Sequence, residues 1–184
     1  MQYYNLIPKL GEGPTAMAHV VSTGIEREII YKLMDGEKIH DIDMSKAKIK
    51  NITKKFPDVI GTGSSEYFVT DAFKRVIEGL ESAENMQFIA VTLVDKQYWL
   101  LNILNNIECF DFENSEYSVR EGNPRIIRDI KTMALMESRI NGRHIFRVAE
   151  KPVYIFISQT LKDAIEANNL TGIAYDNIFE IKTT

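Results

Sequence analysis

Two dense apolar runs around a short polar break constrain this 184-residue chain more than any other feature. Met86 to Val94 carries Phe88, Ile89, Val91 and Val94. Asp95-Lys96 interrupts, and Gln97 to Leu104 then carries Tyr98, Trp99, Leu100 and Ile103. Two such runs around two residues predict a β-hairpin, although Asp-Lys lacks the glycine that the favoured turns use. Near-continuous apolarity further demands cover on both faces of these strands, with a helix on at least one.

The remaining order of residues predicts more strand than helix. A third apolar run, Ile107 to Phe112, follows the turn-prone pair Asn105-Asn106. Later strands are expected at Ile145 to Val148, Val153 to Ile157 and Asn177 to Ile181. Gln2 to Ile7 reads as an edge strand closed by Pro8. Residues 28–34 satisfy either period; they are read here as strand, with Asp35-Gly36 turning into Lys38 to Ile42. Two helices are legible. One is capped by Thr70, carries Asp71 in its first turn and shows a stripe of Phe73, Val76, Ile77 and Leu80. The other is capped by Ser158, buries Leu161, Ala164 and Ile165, and pairs Lys162 with Glu166 outside; Asn168-Asn169 and Gly172 stop it. The predicted architecture is α+β: a single domain over residues 1–184, built on a largely antiparallel mixed sheet of six or more strands with two main helices packed on it. The first 55 residues are the least legible part, and Gly11 through Gly24 reads as loose loop.

Composition excludes several classes of function. No apolar run approaches the roughly 18 residues of a membrane span, and the start, Met1-Gln2-Tyr3-Tyr4-Asn5-Leu6, does not read as a secretory signal. Cys109 is the one cysteine, so an internal disulfide is impossible and a reducing, cytoplasmic setting is expected. A net charge of -4 argues against a general nucleic-acid binder. His19, His40 and His144 are dispersed, so no metal site is expected. Gly61-Thr62-Gly63-Ser64-Ser65 lacks the Lys-Ser/Thr ending of a phosphate loop and reads as ordinary loop. No Gly-x-Ser-x-Gly elbow occurs. Cys109 inside an apolar strand would be an inert thiol. The carboxylate pairs Asp111/Glu113 and Asp41/Asp43 share a face if extended, and a solvated strand face explains them better than acid/base chemistry. No catalytic residue, cofactor or metal is therefore expected.

Charge is clustered instead. Glu108, Asp111, Glu113, Glu116 and Glu121 lie close together with Arg120 the only base among them. Residues 120–147 carry six arginines and one lysine against three acids. Lys46, Lys48, Lys50, Lys54 and Lys55 form a third block, the first three alternating as on the wet face of a strand. Solvated faces account for all three clusters. The alternative is a protein interface in which one sign of charge steers a partner of the other.

Six passages, in order, carry a resemblance over residues 56–181. They are Phe56-Pro57-Asp58-Val59-Ile60; Phe68-Val69-Thr70-Asp71-Ala72-Phe73-Lys74; Tyr98 through Asp111 with its Leu101-Asn102-Ile103-Leu104-Asn105-Asn106-Ile107 core; Gly142-Arg143-His144-Ile145-Phe146-Arg147; Ile155-Phe156-Ile157-Ser158; and Leu170-Thr171-Gly172-Ile173. Together they resemble a bacterial immunity-protein family of polymorphic toxin systems, the family numbered eleven. The passages themselves read as scaffold. Asn102 and Asn105 suit backbone bonding near a turn, Thr171-Gly172 follows the second helix, where a residue tolerating φ > 0 ends it cheaply, and Arg143 and Arg147 would share a strand face and pair with the acidic 108–116 segment. The resemblance implies a cytoplasmic protein that binds a cognate toxin domain and blocks it through a preformed face of about 800 Å² per partner. Local charge places that face at Glu108, Asp111, Glu113 and Glu116 with Tyr117 as aromatic anchor, which implies a basic toxin surface, as in a nuclease. The competing readings are an enzyme that reverses a toxin-made modification, an orphan protein-interaction domain, and an Arg-rich nucleic-acid module using residues 120–147.

Overall fold

The structure, a computed structural model, describes residues 1–9, 19–22, 24–45, 48–50, 56–61, 66–93, 95–175 and 178–184. Most of the loose loop expected over 11–24, Thr62 to Ser65 of the glycine-containing loop, and Lys46, Lys54 and Lys55 of the basic block lie outside the described residues. In chain order the strands are β1 (Tyr3–Asn5), β2 (Ile7–Pro8), β3 (His19–Ser22), β4 (Lys48–Lys50), β5 (Val59–Gly61), β6 (Tyr67–Val69), β7 (Met86–Leu93), β8 (Lys96–Ile103), β9 (Glu116–Arg120), β10 (Asn123–Leu135), β11 (Ile145–Arg147), β12 (Ile155–Ser158), β13 (Ile173–Ala174) and β14 (Glu180–Thr183). The helices are α1 (Arg27–Met34), α2 (Asp71–Glu78), α3 (Glu137–Ile140) and α4 (Gln159–Ala167).

The molecule is α+β. Its strands divide among several sheets rather than forming one. The largest has the order β5-β6-β8-β7; two three-stranded sheets run β1-β12-β11 and β14-β10-β9; β13-β2 and β3-β4 are two-stranded. Among the described strands pairing is antiparallel except between β10 and β14, and the single bridge Ile107↔Val148 is also parallel. The N-terminal strand shows how the sheet breaks up. Tyr3–Asn5 pairs along the edge strand position beside β12, Leu6 N–H still donates to Ile155 O, and the following Ile7–Pro8 turns to β13.

The central hairpin forms, with its turn one residue earlier than expected: Lys96, expected in the polar break, begins the second strand and pairs with Leu93. β7 and β8 pair from Met86↔Ile103 to Leu93↔Lys96, and Asp95 closes the turn at φ 61, the left-handed region that a short hairpin needs. Both faces of its sheet are covered. On one, Phe73 and Ile77 of α2 and Leu161 and Ile165 of α4 pack with Val69, Leu101, Ile103, Ile145, Ile155 and Ile157. On the other, Leu33, Ile39 and Met44 pack with Ile60, Phe68, Val91, Tyr98 and Leu100. A third cluster gathers Cys109, Phe110, Met133, Leu135, Phe146 and Phe156.

Both expected helices form with their caps: Thr70 Oγ1 accepts the Phe73 amide at 3.4 Å and Ser158 Oγ accepts the Leu161 amide at 3.2 Å. Two further helices, α1 and α3, join them. Residues 28–34 are helix, not strand. Ile29, Ile30 and Leu33 fit the 3.6-residue period, Lys32 pairs with Glu28 at 2.7 Å, and the end is a Schellman closure: Gly36 sits at φ +74, Glu37 N–H donates to Lys32 O and Gly36 N–H to Leu33 O. Asp35-Gly36 is thus a helix stop rather than a hairpin turn. Lys38 to Ile42 is not a strand either, because the Gln87 side-chain amide takes the place of a neighbouring backbone, accepting from Ile39 N–H at 3.0 Å and donating to Ile39 O at 2.5 Å.

The Ile107 to Phe112 run is a crossing segment that buries Cys109 and Phe110, not a strand. It makes only single bridges, Ile107↔Val148 and Phe110↔Leu135, because the Asp111 carboxylate turns the chain immediately afterwards. The long strand β10 escaped sequence reading. Its register against β9 shifts three times between Asn123 and Thr132, and each bulge breaks the period-two alternation by which a strand is recognised.

Candidate functional site

Three of the six passages behind the resemblance meet at one carboxylate. Asp58 Oδ1 accepts the Thr70 hydroxyl at 2.9 Å, and Asp58 Oδ2 accepts the Thr171 N–H at 2.8 Å and the Thr171 hydroxyl at 2.9 Å. Backbone bonds close the same junction: Thr70 N–H to Asp58 O, and Val59 N–H to Thr171 O. Gly172 follows at φ +90, and a Cβ there would lie 2.2 Å from Val59 O. The pieces are distant in sequence and joined here because α2 starts, α4 has just ended and β5 enters at one point.

A second junction centres on Glu81, whose side chain is almost fully buried. Its carboxylate accepts from His144 N–H at 2.8 Å, Ile145 N–H at 3.3 Å and the Asn85 amide at 2.8 Å, and pairs with Arg143 Nε at 3.4 Å. Arg143 also donates to Leu104 O and Asn105 O. Arg147 is buried and donates to Pro152 O at 2.6 Å. Neither arginine pairs with the acidic segment, contrary to expectation, since both are drawn inward where backbone carbonyls and Glu81 replace their lost hydration. Asn102 bonds not its own turn but Glu37 O, at 2.8 Å. His144 Nδ1 meets Ser158 Oγ at 2.8 Å. A cavity of about 450 Å³ lies beside this junction, with Glu84 and Arg139 among its walls. Its most buried titratable groups, Glu81 and Arg143, are committed to each other and to backbone.

Cys109 is wholly buried, and burial, with Glu150 nearby, pushes its thiol up to about 12. A thiol held that firmly in its protonated form is no nucleophile at neutral pH. Among the described residues no group of His, Cys, Asp or Glu side chains is arranged to hold a metal ion. No helix there is long and apolar enough to cross a membrane.

The acidic run is spread over the turn before β9 and the start of that strand. Glu108 and Glu113 are exposed. Asp111 is structural: its carboxylate accepts the Glu113 and Asn114 amides at 3.1 and 3.2 Å, the Asn114 side chain at 2.8 Å and the Thr184 hydroxyl at 2.9 Å. Those bonds, Asn114 first, hold it below the usual carboxylate range. Asp111 and Glu113 therefore sit in a turn and not on one strand face. Glu116 is exposed and pairs with Lys131 of β10 at 2.6 Å. Tyr117 stands edge-on to Phe110 and Phe112, centroids 5.4 and 5.8 Å apart. Of this run, Glu108, Glu113 and Glu116 are exposed, Tyr117 is half-buried against Phe110 and Phe112, and Asp111 is consumed in holding the turn. Phe112 is the residue that sequence reading passed over. It is 49% exposed, and its position between Asp111 and Glu113, an aromatic flanked by acids, was the available signal. A groove of about 310 Å³ lies between Glu116, Tyr117, Ser118, Asp129 and Lys131.

No curated protein matches the chain. The family model described as the immunity protein family Imm11 matches residues 35–180, a span that begins before Phe56 and takes in the Asp58 and Glu81 junctions, the acidic turn and the β9–β10 ribbon. The passages that resemble that family are the ones that tie the fold together, and with most of the chain matched it belongs to the Imm11 immunity protein family.

Proposed function

We propose that this protein acts in the cytoplasm by binding a cognate toxin domain and covering its surface, with no chemistry of its own. Family membership supports the role. The mode is supported by how the polar groups are used: Asp58, Glu81, Arg143 and Asp111 are all engaged in holding backbone, and the thiol is buried and protonated. The contact face we assign is the acidic turn and the first residues of β9: Glu108, Asp111, Glu113, Glu116 and Tyr117, joined by Phe112. The observation that carries this placement is the Phe112–Tyr117 aromatic step, with Phe112 exposed and Tyr117 half-buried, on the same segment as the exposed Glu113 and Glu116. Half-exposed aromatics supply anchor area at low entropic cost, and the carboxylates around them supply the field that speeds encounter with a basic surface. A basic toxin surface, such as that of a nuclease, is the matching partner.

The test is to co-produce the chain with the product of the adjacent reading frame, recover the complex, and measure its association rate. Glu113→Lys with Glu116→Lys is expected to slow association by roughly tenfold or more at low salt. An unchanged rate would remove the contact from this face. Failure of the unaltered protein to bind or protect would remove the neutralising role itself.

A further inference from the structure

Among the described residues, strand β7 has one open side. β8 pairs with it along its whole length, and β7 is last in its sheet. Asn85 O accepts the Leu104 N–H at 2.8 Å just before the strand begins. That bond sets the phase of the ladder, because hydrogen-bonded and non-bonded pairs alternate between antiparallel strands. Gln87, Ile89, Val91 and Leu93 bond to β8, so Phe88, Ala90 and Thr92 turn their N–H and C=O groups to the open side, where no described residue pairs with them. Edge strands are ordinarily guarded by charge, proline, a bulge or a covering segment. Met86 to Leu93 contains no charged residue and no proline, and its register is unbroken. β9, also an edge, carries Glu116 and Arg120 and shifts register three times against β10.

We propose that β7 pairs antiparallel with β7 of a second copy of this chain, joining two four-stranded sheets edge to edge. The strand is its own complement. A two-fold axis at Ala90 sets Ala90 against Ala90, Phe88 against Thr92 and Ile89 against Val91. The outward-turned residues of one copy then meet the outward-turned residues of the other in matching phase. Small meets small at the axis, aromatic meets β-branched beside it, and no like charges oppose each other. Ala90 and Thr92 are exposed, so their side chains leave the approach clear. A single strand pair buries less than the roughly 1,600 Å² of a standard interface, so the dimer is a weak, concentration-dependent one. This edge lies on a different sheet from the acidic turn, and the inference does not depend on the toxin reading.

Sedimentation and amide hydrogen exchange of the purified full chain, from about 5 to about 500 µM, test it by mass action. The mass is expected to rise from 21.1 kDa toward twice that value. Exchange at Phe88, Ala90 and Thr92 is expected to slow as it does, while Gln87, Ile89 and Val91, already bonded to β8, stay unchanged. Ala90→Lys, which places two lysines at the axis, should abolish both changes; Val119→Lys on the β9 edge should leave them. A constant mass overturns the proposal. So does a rise that Val119→Lys abolishes and Ala90→Lys does not. So does protection of these amides only when the toxin is added, which would make a toxin strand the occupant. The exchange pattern is read on the unaltered protein, so a variant that fails to fold does not remove the test.

Discussion

At Gly172 the backbone needs φ +90 and leaves no room for a Cβ, with Val59 O at 2.2 Å and the Pro57 side chain at 2.7 Å. Gly172→Ala therefore adds left-handed strain to a steric clash against backbone, and is expected to cost roughly 2–4 kcal/mol, read as a fall in the urea midpoint. Cys109 offers a different readout. Its folded-state value of about 12 lies above the ordinary 9.0, and burial is the main cause. Tyr67 and Tyr98 are pushed by burial from 10.0 to about 12 in the same way. For each, the folded chain holds the proton more tightly than the unfolded chain. The stability so contributed is complete below the unfolded value and is lost as pH rises toward 12. Unfolding midpoints should hold near neutrality and fall from about pH 9 upward, and Cys109→Ala should remove the part of the slope that begins near pH 9. The native thiol should also resist a thiol reagent until the chain unfolds. Sequence alone marked Cys109 as an inert thiol; it misplaced the residue in a strand, because the turn made by Asp111 depends on partners as far away as Thr184.

The helix starts show how far local signals reach. Thr70 and Ser158 were legible as caps because a cap is decided within three residues. Their further partners were not legible: the Thr70 hydroxyl donates to Asp58, and Ser158 Oγ meets His144. Thr70→Ala and Ser158→Ala should each cost about 1–2 kcal/mol, more than an exposed cap, since both also break a tertiary bond. A double-mutant cycle of Thr70→Ala with Asp58→Ala should show coupling; strict additivity would mean that the cap acts alone. α1 was misread because Ile29, Ile30 and Leu33 suit either period. What decides for helix is its Schellman end, in which Gly36 must fit against Asn105 and Asn106, far along the chain. The β7–β8 hairpin was read correctly for the opposite reason: its turn and both strands are contiguous.

For the whole molecule, three apolar clusters hold the sheets and helices together, while Glu108, Glu113 and Glu116 of the acidic run stand exposed. If the acidic turn steers a basic toxin, the association rate should fall steeply between low salt and physiological salt, with dissociation changing less, because screening acts on exposed charges at long range. The Glu113→Lys, Glu116→Lys variant should lose most of that salt dependence, which stopped-flow mixing would show. The sequence by itself determined the central hairpin, two capped helices, an α+β composition of elements and the family passages, since each rests on residues close together in the chain. Only the tertiary structure decided that Asp58 and Glu81 are the tie points, that Arg143 and Arg147 turn inward, that the strands divide into several sheets and that no described strand pairs with the far edge of β7. Those outcomes depend on which distant segments satisfy each buried polar group, and that pairing is set when the chain packs rather than by any local pattern.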